Sequence, residues 1–247
     1  MKTILSTICA LTLVTGCSTV VPHFDYPATS LGVYNSGLIE VGQLFLWDMK
    51  ANTLTQLDPI PFPATPSTSG PTTMVASKIS SISFDAGVTA TVKANASAAI
   101  RNNVSIKASN AVNRTYSSVI TAISKEIVRK RNEGEDVDGG WLLEQAAKPN
   151  SGLAYLIVRG VIVSDKAELL ATNTAEGKLE LTVPGDKGGK ATIDLSREKL
   201  ASCTGKESPC FINFQAYRAY INKDKNYGFA LIPNVSTEKV ADLLKTL

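Results

Sequence analysis

Histidine is all but missing. The 247 residues hold one, His23, in a proline-containing stretch near the amino terminus. Serine and cysteine nucleophile systems need a histidine base, and zinc hydrolases draw most of their ligands from histidine. A lone imidazole in such a stretch is a poor candidate for either role, so those chemistries fall. Net charge is also scarce: 25 basic residues face 22 acidic ones, for a net +3. That balance is no nucleic-acid footprint. Beyond the opening segment, no apolar run approaches the ~20 residues that a membrane-spanning helix needs.

Loops that hold phosphate or metal are wanting too. Gly185-Asp186-Lys187-Gly188-Gly189-Lys190 has Pro184 where the first glycine of a Walker loop belongs. Ala191 stands where serine or threonine should hold magnesium. A hairpin turn explains the stretch better. Asp136-Val137-Asp138-Gly139 hints at a calcium loop, but the first and last ligand positions would then be Gly134 and Gln145. Ser196-Arg197-Glu198-Lys199 has the S-x-x-K spacing without a companion motif. No cofactor, catalytic residue or metal ligand is implied.

What is present begins at the amino terminus. Lys2 supplies one positive charge, and Ile4 to Val14 is mostly apolar. That run is too short to span a bilayer but suits an export signal. It ends in Val14-Thr15-Gly16-Cys17. The pattern resembles the lipobox of bacterial lipoproteins and covers only the first eighteen or so residues. The resemblance implies a diacylglycerol on the Cys17 thiol, cleavage after Gly16 and acylation of the new amino group. Each buried methylene contributes about 0.8 kcal/mol, so one chain holds marginally and two or three hold stably. By the same analogy Ser18, rather than aspartate, implies sorting to the outer membrane of a Gram-negative envelope. An exported chain meets an oxidising compartment, so Cys203 and Cys210 in C-T-G-K-E-S-P-C are expected to form a disulfide across a Gly/Pro-containing loop. A loop that short adds about 2 kcal/mol.

The remaining chain reads as α+β: antiparallel strands and hairpins with a long amphipathic helix and a short C-terminal helix. Residues 1–16 read as the signal peptide and 17–30, with Pro22 and Pro27, as a lipidated tether. Residues 31–150 form an N-terminal α+β region. Leu38 to Asp48 reads as one strand or two, with Asn52 to Leu57 returning beside it. The proline-dense stretch 58–73 reads as an extended connector. Val88 to Ala98 alternates small apolar and polar residues, which predicts a strand, with a helix as the alternative because alanine and asparagine are poor strand formers. Arg101-Asn102-Asn103 would turn it into a second strand at Val104, Ile106 and Ala108. Val112, Tyr116, Val119, Ile120, Ile123 and Ile127 predict a long helix over 111–131, stopped by Asn132-Glu133-Gly134. A short helix is expected over Trp141 to Ala147.

Residues 151–247 read as a β-rich region. Leu153 to Ser164 is a long β-rich run, and Lys178 to Val183 and Ala191 to Leu195 flank a turn as a strand–turn–strand unit. Phe211 to Ile221 pairs with Tyr227 to Ile232, and Ser236 caps a helix carrying Val240, Leu243, Leu244 and Leu247. The functional expectation is a membrane-anchored envelope lipoprotein of non-enzymatic, interaction or structural role, with the bilayer and an envelope protein as partners and no nucleic acid. Two alternatives stand beside it. One is a membrane-active, pore-forming type of protein inserting β-hairpins, since Val88 to Ala98 has about the length of a membrane-crossing strand. The other is a cell-wall or glycan-acting enzyme using paired carboxylates.

Overall fold

The computed structural model describes residues 18–37, 39–62, 65–171, 178–183, 189–195 and 203–247. The chain opens with four short strands: β1 (Ser18–Val20), β2 (Pro22–His23), β3 (Ala28–Thr29) and β4 (Gly32–Tyr34). Next comes the hairpin β5 (Leu44–Asp48) and β6 (Thr53–Gln56), then β7 (Ser67–Thr68), β8 (Thr72–Ala76) and β9 (Ser83–Phe84). Helix α1 (Ala90–Asn103) runs directly into β10 (Val104–Thr115). Helices α2 (Val119–Asn132), α3 (Val137–Trp141) and α4 (Leu143–Ala146) follow. The last third holds β11 (Leu153–Ala171), β12 (Lys178–Val183), β13 (Gly189–Asp194), β14 (Thr204–Ile221), β15 (Tyr227–Ile232) and α5 (Thr237–Leu244).

The fold is mixed α+β, built on the long antiparallel pair β11 and β14. The outer edge of β11 is shared: its first half pairs with β5 and its second half with β10. The outer edge of β14 is shared likewise, by β4 near Phe211 and by β15 from Ala216 onward. Strands from before and after residue 150 therefore form one sheet. Its two faces can be followed along β14. Odd-numbered Phe211, Tyr217 and Ala219 face one way, and Ile212 and Ala216 the other. Helix α5 covers the even face with Val240, Leu243 and Leu244, all buried. The odd face carries two cores. Helices α2, α3 and α4 cover Tyr155, Ile157 and Tyr217 in one, and α1, β1 and the β12–β13 hairpin cover Phe211 and Ile162 in the other.

Period-two alternation along β11 is broken once. Val158 opposes Phe214 while Gly160 opposes Asn213, so Arg159 is a bulge. Leu156 and Val158 before it share a core with Val161 and Val163 after it. The extra residue thus reverses parity without turning apolar side chains to water.

The helices depart from the sequence reading in three places. Val88 to Ala98 is not a strand: Thr89 caps α1 by accepting from the Val92 N–H at 3.4 Å, and the helix runs on through Asn103. The alternation was that of small residues, among which alanine is the strongest helix former. What docks the helix is Ala96 and Ile100, four apart and both fully buried. Arg101 to Asn103 are its last turn, not a hairpin loop.

In place of the helix expected over 111–131, α2 runs for 14 residues from Val119 to Asn132. Residues 111–115 belong to β10, which bulges between Ala108 and Ala111, with Asn110 in the left-handed region at φ 53°. Val112 shares only sequence spacing with Val119 and Ile123: it pairs with Val163 in the sheet and packs in the core under α5, while they pack in the core with Tyr155. The helix ends where expected, with Gly134 at φ 80° just beyond it. The short helix at 141–147 is instead two, α3 and α4, separated by Leu142 at φ 53°.

Helix α5 follows its capping signal. The Ser236 hydroxyl accepts from the Lys239 N–H at 3.1 Å. Leu247 lies beyond the helix and is exposed. Ser236→Ala is expected to lower stability by about 1 kcal/mol. Urea unfolding at constant slope checks it, and an unchanged midpoint would remove the cap from the account.

Candidate functional site

The amino-terminal edge is where the fold departs most from the sequence reading. Residues 18–30 are not a loose tether. Ser18, Thr19 and Val20 pair in parallel with Ala191, Thr192 and Ile193 of β13. Val20, Pro22 and Phe24 are buried in alternation, and Val20 keeps only 2% of its surface exposed. Ala28 and Thr29 then pair with β4. The signal was present as Val20-x-Pro22-x-Phe24, but the two prolines masked it. Proline at the first position of a strand costs no ladder bond that matters, and Pro22 sits there in β2.

His23 belongs to this edge. Pro22 and His23 pair with Phe84 and Ser83, and the imidazole Nε2 lies 2.7 Å from Asp85 Oδ1. Asp85 begins the turn that leads into α1. Between that turn and β1 lies a cavity of about 490 Å³. Thr19, Val20 and Val21 line one side, and Asp85 to Thr89 with Val92 the other. Its volume falls within the range of sites that enclose small molecules. Four valines line it, and Thr19, Asp85 and Thr89 supply the polar side chains.

Parallel pairing also fixes direction. Ser18 lies opposite Ala191, near the start of β13 and so beside the turn end of the β12–β13 hairpin. Cys17 lies outside the described residues, as do the hairpin turn expected at 184–188 and Ser196 to Lys199. The residue after Cys17 is nonetheless held in the fold by backbone pairing.

A second cluster gathers charge at the end of α2. Glu126 is 4% exposed and accepts from the Arg129 guanidinium at 2.7 and 3.0 Å. Arg129 also reaches Glu133. Lys130, 6% exposed, donates to Asp58 at 3.0 Å and to Glu135. Those bonds, the one to Glu135 first, hold the ammonium pKa above its ordinary value despite burial. Lys130 therefore stays charged at neutral pH and ties the proline-rich connector, through Asp58, to the helix. Arg131 pairs with Asp138 at 3.2 Å and lies over the Tyr227 ring at 5.2 Å. The Tyr227 hydroxyl donates to the same Asp138 at 2.8 Å. Burial, then that bond, pushes the phenol pKa up.

The suspected calcium loop is accounted for by these partners. Asp136 caps α3 by accepting from the Gly139 N–H at 2.8 Å. Asp138 is held by Arg131 and Tyr227. Among the described residues no three His, Cys, Asp or Glu side chains gather as a metal site. Asp58, Glu126, Glu133, Glu135 and Asp138 each face a cation, an arrangement that clamps structure.

The Cys203–Cys210 disulfide is formed, with Cα atoms 5.0 Å apart and both residues fully buried. Its setting is a correction to the sequence reading. The enclosed segment is not a loop but the start of β14. Ser164 faces Ser208 while Lys166 faces Thr204, so four steps on β14 answer two on β11. The disulfide staples this large bulge inside the core shared with Phe211 and Ile193.

Comparison with protein-family models, with curated proteins and with solved structures finds no match to this chain in any of the three.

Proposed function

We propose that this chain is a lipid-anchored protein of the bacterial envelope, acylated at Cys17, that holds an interaction surface directly against the membrane. The lipobox-like stretch Val14 to Cys17 supports the anchor. One structural observation shapes the rest: Ser18 to Val20 are a strand of the folded body. An acyl group on Cys17 would then begin one residue from that body, with no spacer. A buried disulfide suits an exported protein in an oxidising compartment. The location favoured is the outer membrane, on the strength of Ser18.

The pore-forming alternative loses its main support, because its candidate strand is α1. The carboxylate-enzyme alternative gains none, since Glu126, Glu133, Glu135 and Asp138 all lie in ion pairs. The role proposed is thus an interaction or structural one.

Radiolabelled palmitate fed to cells making the wild-type chain and Cys17→Ala tests the anchor. Label is expected on the wild type and absent from the variant, which keeps residues 1–16 uncut. Equal labelling of both, or none of either, would reject acylation at this cysteine.

A further inference from the structure

β15 is an edge strand whose outer side meets no other strand among the described residues. Natural edges are guarded by lysine, proline, a bulge or a covering segment. The six residues Tyr227-Gly228-Phe229-Ala230-Leu231-Ile232 carry no charge and no proline. Their register with β14 runs without a shift from Ile221/Tyr227 to Ala216/Ile232. Around them stand exposed apolar side chains: Leu231 at 52%, Ile221 at 52% and Tyr220 at 46%.

The ladder tells which backbone groups are free. At the hairpin end the Asn222 N–H donates to the Asn226 C=O at 2.9 Å. Antiparallel ladders alternate, so Gly228, Ala230 and Ile232 direct their N–H and C=O to β14. Tyr227, Phe229 and Leu231 direct theirs outward, away from the sheet. Three donors and three acceptors on one straight edge define their own complement: an extended strand with the same spacing.

We propose that this complement is β15 of a second copy, so that the protein forms a two-fold dimer through a continuous sheet. Centred on Phe229, antiparallel self-pairing sets Phe229 against Phe229 and Tyr227 against the second copy's Leu231. Every outward N–H and C=O then finds a partner, with six bonds in all. Pairing stops at Pro233, which has no N–H to give. The same register covers each exposed Leu231 with a tyrosine ring. An isologous contact of this kind closes after two copies, because each β15 edge is then taken up by the other.

Symmetry joins this edge to the anchor. Edge-to-edge antiparallel pairing places the two-fold axis perpendicular to the sheet, so both copies present the same face on the same side. Val20 of β1 packs in the core with Phe211, on the odd face of β14. Both amino-terminal strands therefore lie on one side of the joint sheet, where two anchors can enter one bilayer. That last step rests on the lipid-anchor reading; the dimer does not.

The test uses the full chain, purified in mild detergent from whichever cell fraction holds it and sized by light scattering, with Leu231→Lys and Val75→Lys beside the wild type. Lysine at 231 would lie against the second copy's Tyr227 and its stacked Arg131. Val75 is as exposed but lies on β8, at the far edge of the sheet. Wild type and Val75→Lys are expected at two chain masses, and Leu231→Lys at one, with dimer affinity down at least tenfold. Amides of Tyr227, Phe229 and Leu231 should exchange slowly in the wild type and fast in Leu231→Lys, while those of Gly228 and Ala230 stay protected in both. A monomeric wild type at every concentration reached, or a Leu231→Lys variant that dimerises as the wild type does, overturns the proposal. Failure of palmitate labelling would leave this result untouched, so the two readings fail separately.

Discussion

Leu156→Ala is expected to lower the free energy of unfolding by about 2–5 kcal/mol. Leu156 has no exposed surface and lies near the start of β11, between paired strands, opposite Phe45 on one side and Ala216 on the other. Its side chain faces the core that α5 closes with Val240, Leu243 and Leu244. Strands on both sides hold the backbone in place, so the site cannot collapse around a smaller residue. A domain of this kind has only about 5–15 kcal/mol to lose. Urea unfolding should show a large fall in midpoint at unchanged slope. Leu156→Met, which conserves volume, should cost under about 1.5 kcal/mol. Equal and small effects of the two would mean that β11 is not the spine of the sheet.

Val20→Asp is expected to act locally and strongly. The substitution places a carboxylate where Val20 is buried among Ile193, Leu179 and Phe24. Burying that charge unpaired costs several kcal/mol, more than the ~1.5–3 kcal/mol that docking one valine contributes. β1 is the first of the described strands and, among the described residues, pairs only with β13, so it can leave without unfolding the large sheet. Amide exchange at Thr19 to Val21 should rise at least a hundredfold, while Leu153 to Val158 keep their protection. Global unfolding instead would show that β1 belongs to the cooperative core. No change at all would show that it was never docked.

The parts legible in the sequence are those where one local signal decides the structure. The hairpins β5–β6 and β14–β15 have strand-forming runs on each side of a polar turn, and both formed within the stretches expected. Ser236 marks α5 because a hydroxyl at that position satisfies an otherwise free N–H. The disulfide followed from two cysteines seven apart in a chain expected to be exported.

The illegible parts are those where a bulge or a long-range contact decides. Neither the bulge at Arg159 nor that between Ala108 and Ala111 leaves a mark in a period-two count, yet each reverses parity. Alanine satisfies helix and strand patterns alike, so Val88 to Ala98 was settled by what Ala96 and Ile100 meet in the core. The ion cluster joins Asp58 to Lys130 across 72 positions, and no spacing rule reaches that far. The cavity beside β1 likewise draws on residues 19–21 and 85–92, brought together only by the sheet.

The amino-terminal segment carries the account, because it separates a body held on the bilayer from one swinging above it. As a tether, the thirteen residues from Ser18 to Ser30 would reach about 45 Å when extended. As strands, they would leave the body within a residue of the acyl group proposed on Cys17. Neutron reflectometry of the lipidated chain on a supported bilayer distinguishes the two. Protein density should begin at the headgroup layer, with no hydrated gap between. A solvent layer tens of ångströms thick, or a chain that does not adsorb at all, would contradict the account.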